Sequence, residues 1–298
     1  MFRSLACASA LFLAVPAFAA ETVSVDTYRG AVDVPANPEK IAVFDIAAVD
    51  TLSALGVDVS GAPQNLYVDY LKSVADKAED LGTLFEPDIE AVHALQPDLI
   101  IVGGRSSDQV DTMGELAPAI DMTIWEDVVG QGLARLDTYG KIFGREDKAA
   151  ELRADFDAQL ESARAAVADK GTALIILTNG PKISAYGKAG RFGWVHSTLD
   201  LPEAAAEISD STHGESISFE FIQTVNPDWL IVIDRLAAIG QPGEDAKTTL
   251  DNTLMHETKA WKNDQVVYLN ASDIYISGGG IQSMMRTLSD IEVGFNGN

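Results

Sequence analysis

Arg105 and Arg235 occupy equivalent places in two matching stretches, each soon after a short apolar run, Leu99-Ile-Ile-Val102 and Leu230-Ile-Val-Ile233. A third arginine, Arg191, lies in the glycine-rich stretch Gly187-Lys-Ala-Gly-Arg-Phe-Gly193, where a backbone without side chains can come close to a ligand. If the apolar runs are strands of an open α/β sheet, Arg105 and Arg235 fall outside strand carboxyl ends, where such sheets bind ligands. Three guanidinium groups in one cleft require an anionic ligand. Each charge at about 4 Å contributes about 1 to 4 kcal/mol, depending on screening. A guanidinium is also planar, so it stacks on rings and donates several hydrogen bonds. The competing arrangement pairs each arginine with a nearby acid such as Asp108 or Asp234.

His213 and Tyr275 have positions suited to chemistry. His213 precedes Gly214 and lies just before a helix rather than inside one. Tyr275 precedes the triplet Gly278-Gly-Gly280, which opens the last helix. His93, His196 and His256 fall in helical or polar settings and read as structural. Tyr67, Tyr70, Trp125, Tyr186 and Trp194 are candidates for the aromatic lining that a pocket for a flat ligand needs.

These residues must be positioned by a repeated element. Residues 87–105 align without a gap on 217–235: Glu90 matches Glu220, Pro97-Asp98 matches Pro227-Asp228, and Arg105 matches Arg235, all at an offset of 130. Each copy reads as a helix, a Pro-Asp turn and a buried strand. Ile89, Val92 and Leu95 have helical spacing, as do Phe219, Ile222 and Val225. Proline ends the helix, and the β-branched run that follows suits a strand covered on both faces. Further strands are expected at 41–44, 173–177 and 265–269. The pattern predicts an α/β fold with two similar lobes, each a mostly parallel sheet flanked by helices. Residues 21–130 form the first lobe and 171–298 the second. Between them, 131–170 has helical periodicity, with Leu133, Leu136, Leu152, Phe156 and Leu160 on one face, interrupted only by Gly140 and Gly144. This segment is expected to form one long connecting helix that makes a stiff hinge.

Residues 1–20 read as a cleavable signal peptide: Arg3, then an apolar run from Leu5 to Val15, then Ala17-Phe-Ala19. The run is too short to span about 30 Å of hydrocarbon. The only cysteine, Cys7, lies in it, so the mature chain forms no disulfide and must be held by its core. The protein carries 21 Lys+Arg against 45 Asp+Glu, a net charge of −24. Such a surface repels nucleic acid and anionic lipid and favours a soluble monomer.

The paired "PDLIIVxxR"-type elements, the helical connection, Gly187–His196, Thr212-His-Gly214, Ile233-Asp-Arg235 and Tyr275-Ile-Ser-Gly-Gly-Gly280 together resemble the class III periplasmic binding proteins of iron-siderophore and cobalamin importers. The resemblance covers the whole mature chain and is greatest to the catecholate, petrobactin-type branch. It implies a periplasmic protein, not an enzyme, that captures a ferric siderophore between its lobes and hands it to an ABC permease. Ferric catecholates offer ring faces and anionic oxygens to Arg105, Arg191 and Arg235, with Tyr67, Trp125 and Trp194 as walls. The resemblance also implies that His213 and Tyr275 bond iron directly. A siderophore with two catechols supplies about four of about six donors, and an imidazole and a phenolate complete the set. Glu90 and Glu220 are implied to meet arginines on the permease.

Haem, hydroxamate siderophore or corrinoid cargo is the alternative within the same family; three arginines with a His/Tyr pair argue against it, since neutral hydroxamates need less positive charge. A secreted enzyme would need chemistry that is missing: Gly-x-Ser-x-Gly, His-Glu-x-x-His and a phosphate-binding glycine loop are absent. A zinc or manganese carrier needs clustered His and carboxylates, and only His213 is well placed.

Overall fold

A computed structural model describes residues 21–209 and 211–297; the expected signal peptide lies outside them. A two-stranded hairpin, β1 (Thr22–Thr27) and β2 (Gly30–Pro35), precedes two five-stranded sheets. The first contains β3 (Ile41–Val43), β4 (Gly61–Ala62), β5 (Glu79–Asp80), β6 (Leu99–Val102) and β7 (Ala119–Asp121), ordered β5-β4-β3-β6-β7, all parallel. The second contains β8 (Ala173–Asn179), β9 (Lys182–Tyr186), β10 (Glu215–Ile217), β11 (Trp229–Asp234) and β12 (Val266–Tyr268), ordered β10-β9-β8-β11-β12. β8, β11 and β12 run parallel, and β9 runs antiparallel to both of its neighbours, β8 and the edge strand β10.

The helices that position the site are α1 (Ile46–Ala54), α2 (Ile89–Leu95), α3 (Val128–Ile142), α4 (Glu146–Val167), α5 (Phe219–Val225), α6 (Ala271–Tyr275) and α7 (Ile281–Asn296). The connection over 131–170 is therefore two helices, not the single one expected. Gly144 (φ +58°) turns the chain, and the Arg145 amide donates to the Gly140 carbonyl at 2.7 Å. A left-handed residue cannot continue an α-helix, and glycine adopts it at least cost. Gly140 stays helical, because it lets α3 pack closely on Ala149 of α4.

The repeat is reproduced in space. α2 and α5 each have seven residues, side-chain N-caps (Asp88 and Ser218), and left-handed C-caps at Gln96 and Asn226. The Pro-Asp turn has a function in each lobe. Asp98 accepts the Lys40 amide at 2.8 Å, and Asp228 accepts the Thr172 amide at 3.0 Å. Each carboxylate thus ties the incoming strand to the first strand of its own sheet. The strand runs are as buried as their composition predicts: Leu99–Val102 and Leu230–Ile233 have 0–1% exposure.

In both sheets the first strand, β3 or β8, has its next neighbour in sequence on one side and the repeat strand, β6 or β11, on the other. The crevice between these two is a topological switch point, the place where open sheets bind ligands.

The lobes share helices α3 and α4, and α7 packs along α4. Filling the cleft should therefore leave the shape nearly unchanged. Small-angle scattering profiles of empty and loaded protein are expected to superpose; a clear contraction on loading would contradict the stiff connection.

Candidate functional site

A cavity of about 560 Å³ opens between the two sheets, within the range of small-ligand sites. Its lining includes Arg105, Arg191, Trp125, Trp194, His213 and Tyr275. The first lobe contributes Arg105 from the short 3-10 helix Gly104–Gln109 after β6, directly beside the switch point. Gly103, just before that helix, is pressed on Asp45, which follows β3; a Cβ at Gly103 would lie 2.8 Å from the carboxylate. Asp45 caps α1 through the Ala47 amide. Burial pushes its carboxyl up to about 6, against the pull of the Ala47 amide and the Arg105 charge.

The second lobe supplies Arg191, Arg235, His213 and Tyr275. Arg191 sits in a tight double turn, in which Gly190 donates to Gly187 and Gly193 to Gly190, both at 2.9 Å. A side chain at Gly193 would collide with the Lys188 carbonyl at 2.2 Å, which explains the glycine spacing. His213 is held by a similar need. Gly214 (φ +72°) lies against β9, where a Cβ would meet the Ala185 carbonyl at 2.7 Å, and the His213 amide donates to Ser211. The imidazole is exposed at the cavity wall.

Tyr275 gathers all three arginines. Arg191 donates to its carbonyl at 2.6 Å and Arg105 at 2.9 Å, and Arg235 donates to its hydroxyl at 3.1 Å. The guanidinium carbons stand 4.3, 5.4 and 6.0 Å from the ring centroid for Arg191, Arg105 and Arg235. Among the described residues none of the three pairs with a carboxylate. Asp234 instead caps the helix beginning at Arg235 and accepts the Ala246 amide. Burial raises the Tyr275 phenol, but the Arg235 hydrogen bond and the charges of Arg191, Arg235 and Arg105 outweigh it. They hold the group below the ordinary tyrosine range. Burial together with the Arg191 charge lowers Arg105 in turn. The centre is therefore cationic, partly buried and arranged around the ring, the carbonyl and the hydroxyl of Tyr275.

Not every sequence candidate faces this space. Arg235 reaches it through the Tyr275 hydroxyl and also donates to Asn179 at the end of β8. Tyr67 is a left-handed residue packed on the core, away from the cavity lining. Tyr70 bonds Asp50, and Tyr186 is buried edge-on against Phe192. His196 is buried and bonds the Leu201 carbonyl, and burial lowers its basicity. Glu90 and Glu220 lie exposed in the first turns of α2 and α5. Phe85, 65% exposed at the cavity wall, was not singled out from the sequence. It lies outside the repeated stretch 87–105, so the repeat gives no sign of it.

A family profile described as periplasmic binding protein matches residues 41–272. The petrobactin-binding protein YclQ of Bacillus subtilis is 37% identical over 279 residues, covering 92% of this chain and 87% of its own. Its crystal structure aligns with a TM-score of 0.87 over 93% of this chain and 100% of that one, at 35% identity. The ferric-anguibactin-binding protein FatB of Vibrio anguillarum is 32% identical, covering 87% and 83% of the two chains. The siderophore-binding protein BauB, solved with two molecules of acinetobactin and ferric iron, aligns with a TM-score of 0.84 at 29% identity over 92% and 99%. On its profile, its sequence relatives and its two-sheet architecture, this chain belongs to the periplasmic binding protein family.

Proposed function

We propose that the protein captures an anionic ferric siderophore of the catecholate class and delivers it to an ABC importer. The observation that carries this reading is the convergence of three carboxylate-free arginines, one from the first lobe and two from the second, on one tyrosine at the cavity. An anionic ligand takes the place that the Tyr275 carbonyl now fills for Arg105 and Arg191, while Trp125 and Trp194 flank its rings. The names of relatives that bind petrobactin and ferric anguibactin support the same class.

In this reading His213 and Tyr275 donate to iron when the siderophore leaves coordination positions open. The lowered phenol of Tyr275 favours that role, because a metal-bound tyrosine must lose its proton. Tyr67 stands outside the lining and acts at most through the wall behind it. The lobes comprise 21–130 and 171–298, joined by 131–170. Glu90 and Glu220, one per lobe at the same place in the repeat, dock on the permease. Residues 1–20 export the chain to the periplasm, where it works as a monomer. The chain binds its ligand without transforming it.

The test is a fluorescence titration with ferric bis-catecholate, tris-catecholate, hydroxamate and citrate complexes. Trp125 and Trp194 should be quenched by the catecholates with a Kd below about 1 μM, and the protein should take on their colour. Tighter binding of the hydroxamate complex would overturn the catecholate class.

A further inference from the structure

The last helix, α7, bridges the two lobes. At its carboxyl end Phe295 stacks on Trp229 of β11 at 3.9 Å, and Gly294 lies against Val267 of β12. At its amino end the free amides meet α1 of the first lobe. Asp50 accepts the Gln282 amide at 2.9 Å and the Ser283 amide at 3.0 Å, and Thr51 accepts the Ile281 amide at 3.2 Å. Helix amino ends carry unsatisfied donors and a partial positive charge, so a carboxylate there binds strongly. Asp50 has 0% exposure and also accepts the Tyr70 hydroxyl, while Gln282 returns a bond to the Asp50 carbonyl. Of the glycine triplet, Gly280 is required by this contact. A Cβ at Gly280 would lie 2.7 Å from the Asp50 carboxylate, and one at Gly279 (φ +92°) would lie 2.7 Å from Ile124.

The same segment carries Tyr275 and Ile276, whose carbonyls accept from Arg105. Two sets of bonds therefore tie the 275–283 segment to the first lobe: Arg105 at one end, Asp50 and Thr51 at the other. Only the first set is available to a ligand. We propose that Asp50 is a positioning residue that pins α7 as a second strut between the lobes, so that the lobes keep their angle when Arg105 turns from Tyr275 to an anionic ligand. The loaded half of this inference rests on the function proposed above; the empty half does not.

Spin labels at Ala94→Cys and Thr224→Cys, exposed and equivalent positions on α2 and α5, report the lobe-to-lobe distance in a chain carrying Cys7→Ser. The parent should give one narrow distribution, empty or loaded with a ferric bis-catecholate. Asp50→Asn keeps the shape but replaces one of the two acceptor oxygens by an NH2 group that faces a helix amide. It should widen the distribution about twofold, most of all when loaded, with helical circular dichroism unchanged. Arg105→Ala alone should stay narrow. Thr51→Val, which removes one weaker bond to α7 and one within α1, should widen the distribution less. An unchanged width in Asp50→Asn, empty and loaded, would overturn the proposal. If Asp50→Asn does not fold, an unchanged width in Thr51→Val does the same. Failure of the bound complex to colour the protein would count against the ligand and leave the empty-state comparison decisive.

Discussion

Alanine at Arg105, Arg191 and Arg235 together is expected to weaken binding of a ferric catecholate by about a thousandfold or more, on the order of 4 kcal/mol. Each single change removes charge-assisted hydrogen bonds and should cost about 1 to 3 kcal/mol. The three are not independent, because all bond Tyr275, so their effects should not add. Isothermal titration against the ferric complex measures both points. Folding should survive, since none of the three arginines is tied to a carboxylate that its loss would leave buried and unpaired. A neutral hydroxamate complex should lose far less. Unchanged catecholate affinity in the triple variant would remove the arginines from recognition altogether.

The second large effect depends on how many donors the siderophore brings. The double change His213→Ala with Tyr275→Phe should weaken a four-donor bis-catecholate by about a hundredfold, since two donors are lost. A six-donor tris-catecholate has no vacancy and should lose little. Tyr275→Phe is a clean probe, because the ring and the main-chain carbonyl that holds Arg105 and Arg191 remain; only the hydroxyl bonded to Arg235 goes. Visible absorption should lose its phenolate-to-iron component, and the circular dichroism selected by two fixed donors should fade. The pH dependence has a definite sign. Iron must displace the phenol proton, so four-donor affinity rises with pH until the phenol is ionised. Tyr275 is held below the ordinary range, so this rise ends earlier than for a free tyrosine. Arg235→Ala removes the largest of the effects holding it there and should shift the rise upward. Equal losses for both ligand types, with a parental spectrum, would leave His213 and Tyr275 as wall residues only.

The chain sequence alone determined the two-lobe α/β class and the strand-end arginines. The reason is the repeat. Helix, Pro-Asp turn and β-branched strand recur at one offset, and Asp98 and Asp228 make the same strand-tying bond in both lobes. A residue at the end of such a strand is placed by local geometry, so Arg105 and Arg235 were legible. Arg191 was legible because the neighbouring glycines mark backbone that no other residue fits. His213 was expected just before a helix, but it precedes the edge strand β10.

Tertiary structure decided what depends on contacts between distant segments. The aromatic candidates show this: tyrosine serves equally as wall, core or hydrogen-bond partner, and Tyr67, Tyr70 and Tyr186 went to the second and third uses. The break at Gly144 was not foreseen, because an isolated glycine is tolerated inside a helix unless the chain must turn there. The acceptor that collects Arg105 and Arg191 is a main-chain carbonyl, a group every residue has, so composition gives no sign of it. Asp50 is one of 45 acids in the chain. Only the packing of α1 on a helix more than two hundred residues later separates it from a solvated charge and makes it a buried link between the lobes.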